Sequence, residues 1–289
     1  MHGAIALYAR ETAGFAERLA HAAALLRAAA AEHPARIVLA SSLGAEDMVL
    51  TDLIARERLR IAVATLETGK LHRQTLDLVQ RAQARYGMTI ELHRPRNDAI
   101  VHFVQLHGED AMHRSIELRK ACCALRKLEP LQRALAGRTA WVTGLRREQS
   151  GARAAVPFRE TDEHGRAKFS PLADWSWHDV WHYIARFEVP YNPLHDELMP
   201  SIGCEPCTRA IAVGEDFRSG RWWWESEGHK ECGLHLGAGS HRVSDVKGAP
   251  APGRSQSAVS AQAHIGAVDL KAASAAGRSQ SMATERTPT

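Results

Sequence analysis

Four of the five cysteines in the 289-residue chain fall into two pairs, Cys122 with Cys123 and Cys204 with Cys207 in Ile202-Gly-Cys-Glu-Pro-Cys-Thr-Arg-Ala210. Thiolates two intervening residues apart can turn inward on one turn of chain and bind the same metal ion or iron–sulfur cluster, whereas a disulfide frame would scatter its cysteines more evenly. The plainer reading, four small buried hydrophobes, leaves the pairing unexplained. Spacing does not choose between zinc and iron–sulfur. Neighbouring Cys122 and Cys123 point in different directions on a helix, so joint ligation needs local distortion, and a zinc ribbon would normally use two Cys-x-x-Cys knuckles. The fifth cysteine, Cys232, sits in Lys230-Glu-Cys-Gly-Leu-His235, where basic and imidazole neighbours favour a thiolate. It is the candidate nucleophile.

Groups suited to an anion stand elsewhere. Ser41-Ser42-Leu43-Gly44 is a serine-rich turn between a strand-like and a helix-like segment; backbone N–H groups, hydroxyls and the helix dipole make it a phosphate-cradle candidate. An ordinary capped strand-to-helix turn would look the same. The turn lacks the lysine of a Walker A loop and the spacing of a Rossmann fingerprint, so neither ATPase nor dinucleotide chemistry is supported. Arg146 and Arg147 follow Thr143-Gly144, and Arg218 and Arg221 flank Ser219-Gly220; guanidinium forks bind phosphate and sulfate oxygens bidentately and stay charged. Surface arginines are usually solvated, but clusters at a strand end and beside a thiolate site are harder to dismiss. Lys127 lies one turn beyond Cys123, which aims its ammonium toward a thiolate-bound group.

The elements that position these groups alternate. Glu11 to Glu32 reads as an amphipathic helix ended by Pro34, and Arg36-Ile-Val-Leu-Ala40 as a buried strand running into the serine turn. Met48 to Ile54 is helical by pattern, Arg60 to Leu66 a second strand, Leu71 to Tyr86 helical, Met88 to Leu92 and Thr139 to Thr143 further strands. Such alternation predicts an α/β fold with a mostly parallel sheet covered by helices and ligands at the carboxyl ends of the strands. Asn97 to Leu135 reads as mainly helical; in Ser170 to Ile184, Asp174 or Ser176 can cap a helix whose Trp177, Val180, Trp181 and Ile184 form a core stripe. Residues 1–240 form one domain in this reading. The Ala/Ser/Gly/Pro-rich residues 241–289, with Gly-Arg-Ser-Gln-Ser twice, read as a disordered tail.

Hydrophobic content of 45% and a net charge of +4 describe a globular protein of enzyme size, too weakly basic on charge alone to argue for a nucleic-acid partner but suited to an anionic small molecule. No apolar run is long enough to span a membrane and the N-terminus lacks a secretory layout. The expected location is cytoplasmic, where thiols stay reduced.

Several separate motifs between about Arg36 and His235 resemble those of the assimilatory sulfonucleotide reductases, and within them the cluster-containing adenosine 5′-phosphosulfate (APS) reductases. Ser41-Ser-Leu-Gly-Ala-Glu-Asp47 is similar to that family's modified PP-loop, Leu66-Glu-Thr-Gly-Lys-Leu-His72 to its second nucleotide-contacting turn, and Thr143-Gly-Leu-Arg-Arg-Glu-Gln-Ser150 to its arginine loop. Tyr191-Asn-Pro-Leu-His195, Ser201 to Thr208, Gly220-Arg-Trp-Trp-Trp-Glu225 and Glu231-Cys-Gly-Leu-His235 match further segments. The resemblance implies an adenine nucleotide alpha hydrolase-like fold with a mobile C-terminal segment, a [4Fe–4S] cluster on Cys122, Cys123, Cys204 and Cys207, and Cys232 as the attacking thiolate. It implies substrate contacts at Ser41, Ser42, Gly44, Leu66, Thr68, Gly69, Lys127, Gly144, Arg146, Arg147, Arg218 and Arg221. Relatives that use the 3′-phosphorylated substrate (PAPS) usually lack both cysteine pairs, so APS is the favoured substrate. The tail has no cysteine, so an external thioredoxin is the expected reductant, and the oligomeric state stays open between monomer and homo-oligomer. The rival readings are a PAPS reductase or an enzyme that accepts both APS and PAPS, a PP-loop tRNA-thiolation enzyme, and a zinc-stabilised nucleic-acid-binding module.

Overall fold

The computed structural model describes residues 3–226. Cys232 lies outside them, as do the domain boundary at 240, the tail and the C-terminal segment expected to be mobile.

A six-stranded sheet runs in the order β3-β2-β1-β4-β6-β5, with β1 at Ile37–Ser41, β2 at Ala62–Leu66, β3 at Ile90–His93, β4 at Ala140–Val142, β5 at Arg159–Thr161 and β6 at Ala167–Phe169. All neighbours pair in parallel except β5 against β6. The first four strands lie within one or two residues of where apolar runs place them. The β5–β6 hairpin is an addition to the sequence reading. Its strands have three residues each, and Arg159-Glu-Thr has no apolar residue to mark it; Asp162 shapes the turn by accepting from His164 N and Arg166 N at 2.9 Å. Lys168 of β6 is buried beneath Trp141, paired with Glu160 at 2.8 Å.

Helices cover the sheet: α1 (Ala4–Tyr8), α2 (Phe15–Glu32), α3 (Ala45–Arg56), α4 (Arg73–Tyr86), α5 (Asn97–His107), α6 (Ile116–Cys123), α7 (Glu129–Ala134) and α8 (Trp177–Phe187). Of the two caps expected for α8, Ser176 takes the position: its Oγ accepts from Asp179 N at 3.1 Å and Asp179 accepts from Ser176 N at 2.8 Å, a reciprocal capping box. Val180, Trp181 and Ile184 are fully buried in the main core, with half-buried Trp177 packed against it.

Between α6 and α7 the helix opens into a π-helical turn, Ala124–Leu128. Pro130, at the start of α7, has no N–H for the carbonyl four residues back, and its ring crowds that carbonyl; the wider turn relieves both problems at Arg126. Such turns gather at functional sites. This one follows Cys122-Cys123 directly, the two cysteines closing α6.

Candidate active site

Strand order reverses direction of winding between β1 and β4, and the carboxyl ends of β1, β2 and β4 open there onto one cavity of about 200 Å³. Ser41, Ser42 and Gly44 line it after β1, Leu66 and Thr68 after β2, and Thr143, Gly144 and Leu145 after β4. Val38, Ala64, Leu131 and Trp141, which form an apolar cluster of their own, supply its inner wall.

The serine turn is satisfied from within. Ser42 N and Ser42 Oγ both donate to Asp47 Oδ2, at 2.6 and 2.7 Å, Leu43 N donates to Ser41 Oγ at 3.1 Å and Gly44 N to Ser42 Oγ at 3.3 Å. Leu43, fully buried, adopts a left-handed φ of 61°, a strained choice for leucine that closes this loop on itself. Ser41, Ser42 and Gly44 line the cavity, and the N–H donors of Ser42, Leu43 and Gly44 go to a carboxylate and the loop's own oxygens. Burial pushes the Asp47 carboxyl up to about 6, against the hydrogen bonds from Ser42. Gly144 is needed opposite, because a methyl group there would strike Asp47.

Arg146 departs from its expected role. It is buried, donates to Glu46 at 2.9 Å, Glu148 at 2.7 Å and Trp175 O at 3.2 Å, and does not line the cavity. Burial raises Glu46, but Arg146 and Gln149 outweigh it and hold this carboxyl below the ordinary range. Arg147 donates to Val156 O at 2.9 Å and packs over Phe158, also away from the cavity. Gly69 stays behind the wall, with a φ of 71° and Arg126 against its Cα side. In place of Arg146 and Arg147, two successive 3-10 turns, Arg147–Gln149 and Gly151–Arg153, bring Gln149 and Arg153 to the cavity, Arg153 donating to Gln149 Oε1 at 2.6 Å. The sequence signal for them was the polar run after Thr143, which sequence alone read too close to the strand.

The cysteines sit at the far side. Cys122, Cys123, Cys204 and Cys207 are buried in one cluster with Phe103, Met112 and Trp222, and no disulfide joins them. Leu71 pairs as an antiparallel bridge with Cys204, Glu205 N donates to Lys70 O at 2.8 Å, and Thr68 Oγ lies 3.2 Å from Cys204 Sγ. The turn after β2 is thus built into the cysteine site. Lys127, on the π-helical turn, and Cys204 line both the large cavity and a small one of about 10 Å³ that all four cysteines share.

The donor set suits a sulfur-ligated metal group. All four donors are soft sulfurs; burial pushes the Cys207 thiol up to about 11 and Cys122 above its ordinary value, so ligation to metal is what would keep them as thiolates. Arg126 Nε and Trp222 Nε1, buried beside them, have no hydrogen-bond partner among the described residues, a cost an anionic group would remove. Among the described residues no three His, Cys, Asp or Glu side chains are arranged to hold one metal ion. Four thiols that each meet a separate iron of a cluster need no such convergence.

Arg218 and Arg221 form the outer wall, with Phe217 and Trp222. The Arg221 guanidinium lies against Gly203, where any side chain would collide with it. Trp222, buried, has a φ of 42°, unusual for so bulky a residue.

A model of the phosphoadenosine phosphosulfate reductase domain matches residues 36–210. The chain belongs to that family. This reductase-family chain is 58% identical over 200 residues to the adenosine 5′-phosphosulfate reductase of Allochromatium vinosum, covering 69% of this chain and 78% of that one. Similarity to the Burkholderia cepacia protein of the same name is 55% over 202 residues, 70% and 81% of the two chains. Among solved structures, the phosphoadenylyl-sulfate reductase of Candida auris in a phosphate complex superimposes with a TM-score of 0.56 at 29% identity, covering 64% of this chain and 88% of that one. Among the described residues no helix is long and apolar enough to cross a membrane.

Proposed function

We propose that the chain reduces adenosine 5′-phosphosulfate to sulfite and AMP in assimilatory sulfate reduction, in the cytoplasm, with thioredoxin as reductant. The observation that carries this reading is the common wall: Lys127 and Cys204 belong both to the cavity at the strand ends and to the four-cysteine site, so the anionic end of a nucleotide bound there would face the cysteines. The apolar inner wall of Val38, Ala64, Leu131 and Trp141 suits a planar base. Lys127, Arg218, Arg221 and Arg153 supply cations for the phosphosulfate.

The chemistry follows from those charges. Sulfur in a phosphosulfate anhydride becomes electrophilic when its oxygens are neutralised, which the arginines and Lys127 would do. The Cys232 thiolate attacks that sulfur: an S–S bond forms, the S–O bond to the phosphate breaks, and AMP leaves with the electron pair. A thiolate of the reductant then attacks Cys232 Sγ, releasing sulfite with its electron pair and leaving a mixed disulfide between Cys232 and the reductant; the reductant's second thiolate attacks its own partner sulfur in that bond, closing the reductant's disulfide and releasing the Cys232 thiolate, so the dithiol supplies both electrons. Cys122, Cys123, Cys204 and Cys207 would hold a [4Fe–4S] cluster, which when bound supplies a fixed charge beside Lys127 and no electrons to the reaction.

The test is the ultraviolet–visible spectrum and iron content of protein purified without oxygen, followed by sulfite release from APS and from PAPS. Iron–sulfur absorbance with higher kcat/KM for APS is expected. Zinc in place of iron, or no sulfite from either nucleotide, contradicts the reading.

A further inference from the structure

Three guanidiniums surround the buried Trp222 indole: Arg119 at 4.6 Å, Arg221 at 4.8 Å and Arg218 at 5.9 Å from the ring centre. Like charges gathered around one ring repel, and the ring face offsets part of that. A carboxylate enters the same group. Glu225 follows Trp222 by one turn, its N–H donating to Trp222 O at 2.8 Å. Both its oxygens go to Arg119, Oε1 accepting from Nε at 2.9 Å and Oε2 from Nη2 at 2.7 Å, and the two side chains are 1% and 2% exposed. The fork-to-fork geometry is one that arginine alone among the cations can make.

The three arginines face different sites. Arg119 stands on α6 behind the cysteines, whereas Arg218 and Arg221 line the nucleotide cavity. A buried carboxylate has to be paired, and without Arg119 the cations left around this indole are those two. We propose that Arg119 is a positioning residue that sequesters Glu225 from Arg221, whose Nε has no hydrogen-bond partner among the described residues, so that the Arg221 charge stays directed at an anion in the cavity. The inference rests on the nucleotide reading above and adds to it the device that keeps the anion wall from being quenched by a carboxylate of its own chain.

The experiment measures ADP binding by calorimetry to the cluster-loaded full-length protein; ADP carries a phosphate where APS carries the sulfo group and cannot be reduced. Iron content is measured on every sample. Arg119→Met is expected to weaken ADP about tenfold or more, and Arg119→Met with Glu225→Gln to bring it back to within about threefold of wild type, a recovery that a loss of packing would not give. Glu225→Gln alone keeps the Arg119 contact without the charge and is expected to bind ADP at least as well as wild type. If the single Arg119 variant does not fold, that comparison decides: tenfold weaker binding by iron-replete Glu225→Gln overturns the proposal, as does a double variant no better than Arg119→Met. A wild-type protein that binds neither ADP nor APS overturns the functional reading and this inference together; wild-type binding without recovery overturns the inference alone.

Discussion

The two ends of the cavity differ in how their polar groups are spent. At the serine-turn end every hydrogen bond named above is internal: Asp47 takes Ser42 N and Oγ, and Glu46 takes Arg146 and Gln149. At the other end Arg221 Nε has no hydrogen-bond partner among the described residues, and Lys127 and Arg218 line the cavity beside it. The amides of Ser42, Leu43 and Gly44 are therefore used within their own loop, and in the proposed function anion recognition falls to the arginine and cysteine end.

The largest expected effect concerns Cys232, outside the described residues. Cys232→Ser should lower sulfite formation by at least ~10³-fold, about 4 kcal/mol, with iron content and ADP affinity near wild type; an active variant would remove the proposed nucleophile. Cys204→Ser and Cys123→Ser should lose iron and activity together, and full iron in either variant would break the ligand assignment. Arg221→Met should cost about 10²–10³ in kcat/KM, the scale of one lost charge-stabilising contact, whereas Ser42→Ala should cost less than about threefold. Equal effects at the two ends would erase the contrast drawn above.

The loop end is expected to report instead on stability. Asp47, raised by burial from 3.8 to about 6, binds its proton more tightly folded than unfolded, so folded protein loses stability as pH rises from about 4 to 6. Integrated over that window the loss is ~3 kcal/mol. The difference in unfolding free energy between wild type and Asp47→Asn, measured by denaturant titration at pH 4 and pH 7, should shift by that order in favour of the asparagine variant at pH 7. No shift would mean that the Ser42 bonds hold Asp47 charged without cost.

How much of this was legible in residues alone follows from range. β1, β2 and the turns after them were readable because a short apolar run ending in Ser or Gly is a local signal, and Ser176 as a cap because its partner Asp179 is three residues away. The pairing of the cysteines foretold that all four would be buried at one place, as they are around the small cavity. What local pattern could not carry was partnership across the fold: Arg146 is a hundred positions from Glu46, and nothing near it in sequence tells that its charge is already taken. Asp47 is five residues from Ser42, yet only the left-handed Leu43 brings them together. The β5–β6 hairpin was too short to show a period. The widened turn at 124–128 did have a signal, Pro130, whose consequence lies four residues upstream.

The most direct test of the account is to trap the covalent step. Cluster-loaded protein is incubated with APS in the absence of any dithiol, digested, and its cysteine peptides are examined by mass spectrometry, with AMP release quantified alongside. The account predicts one sulfo group per chain, carried by the Cys232 peptide, with one equivalent of AMP. A sulfo group on any of Cys122, Cys123, Cys204 or Cys207, or AMP release with no adduct on Cys232, would contradict it.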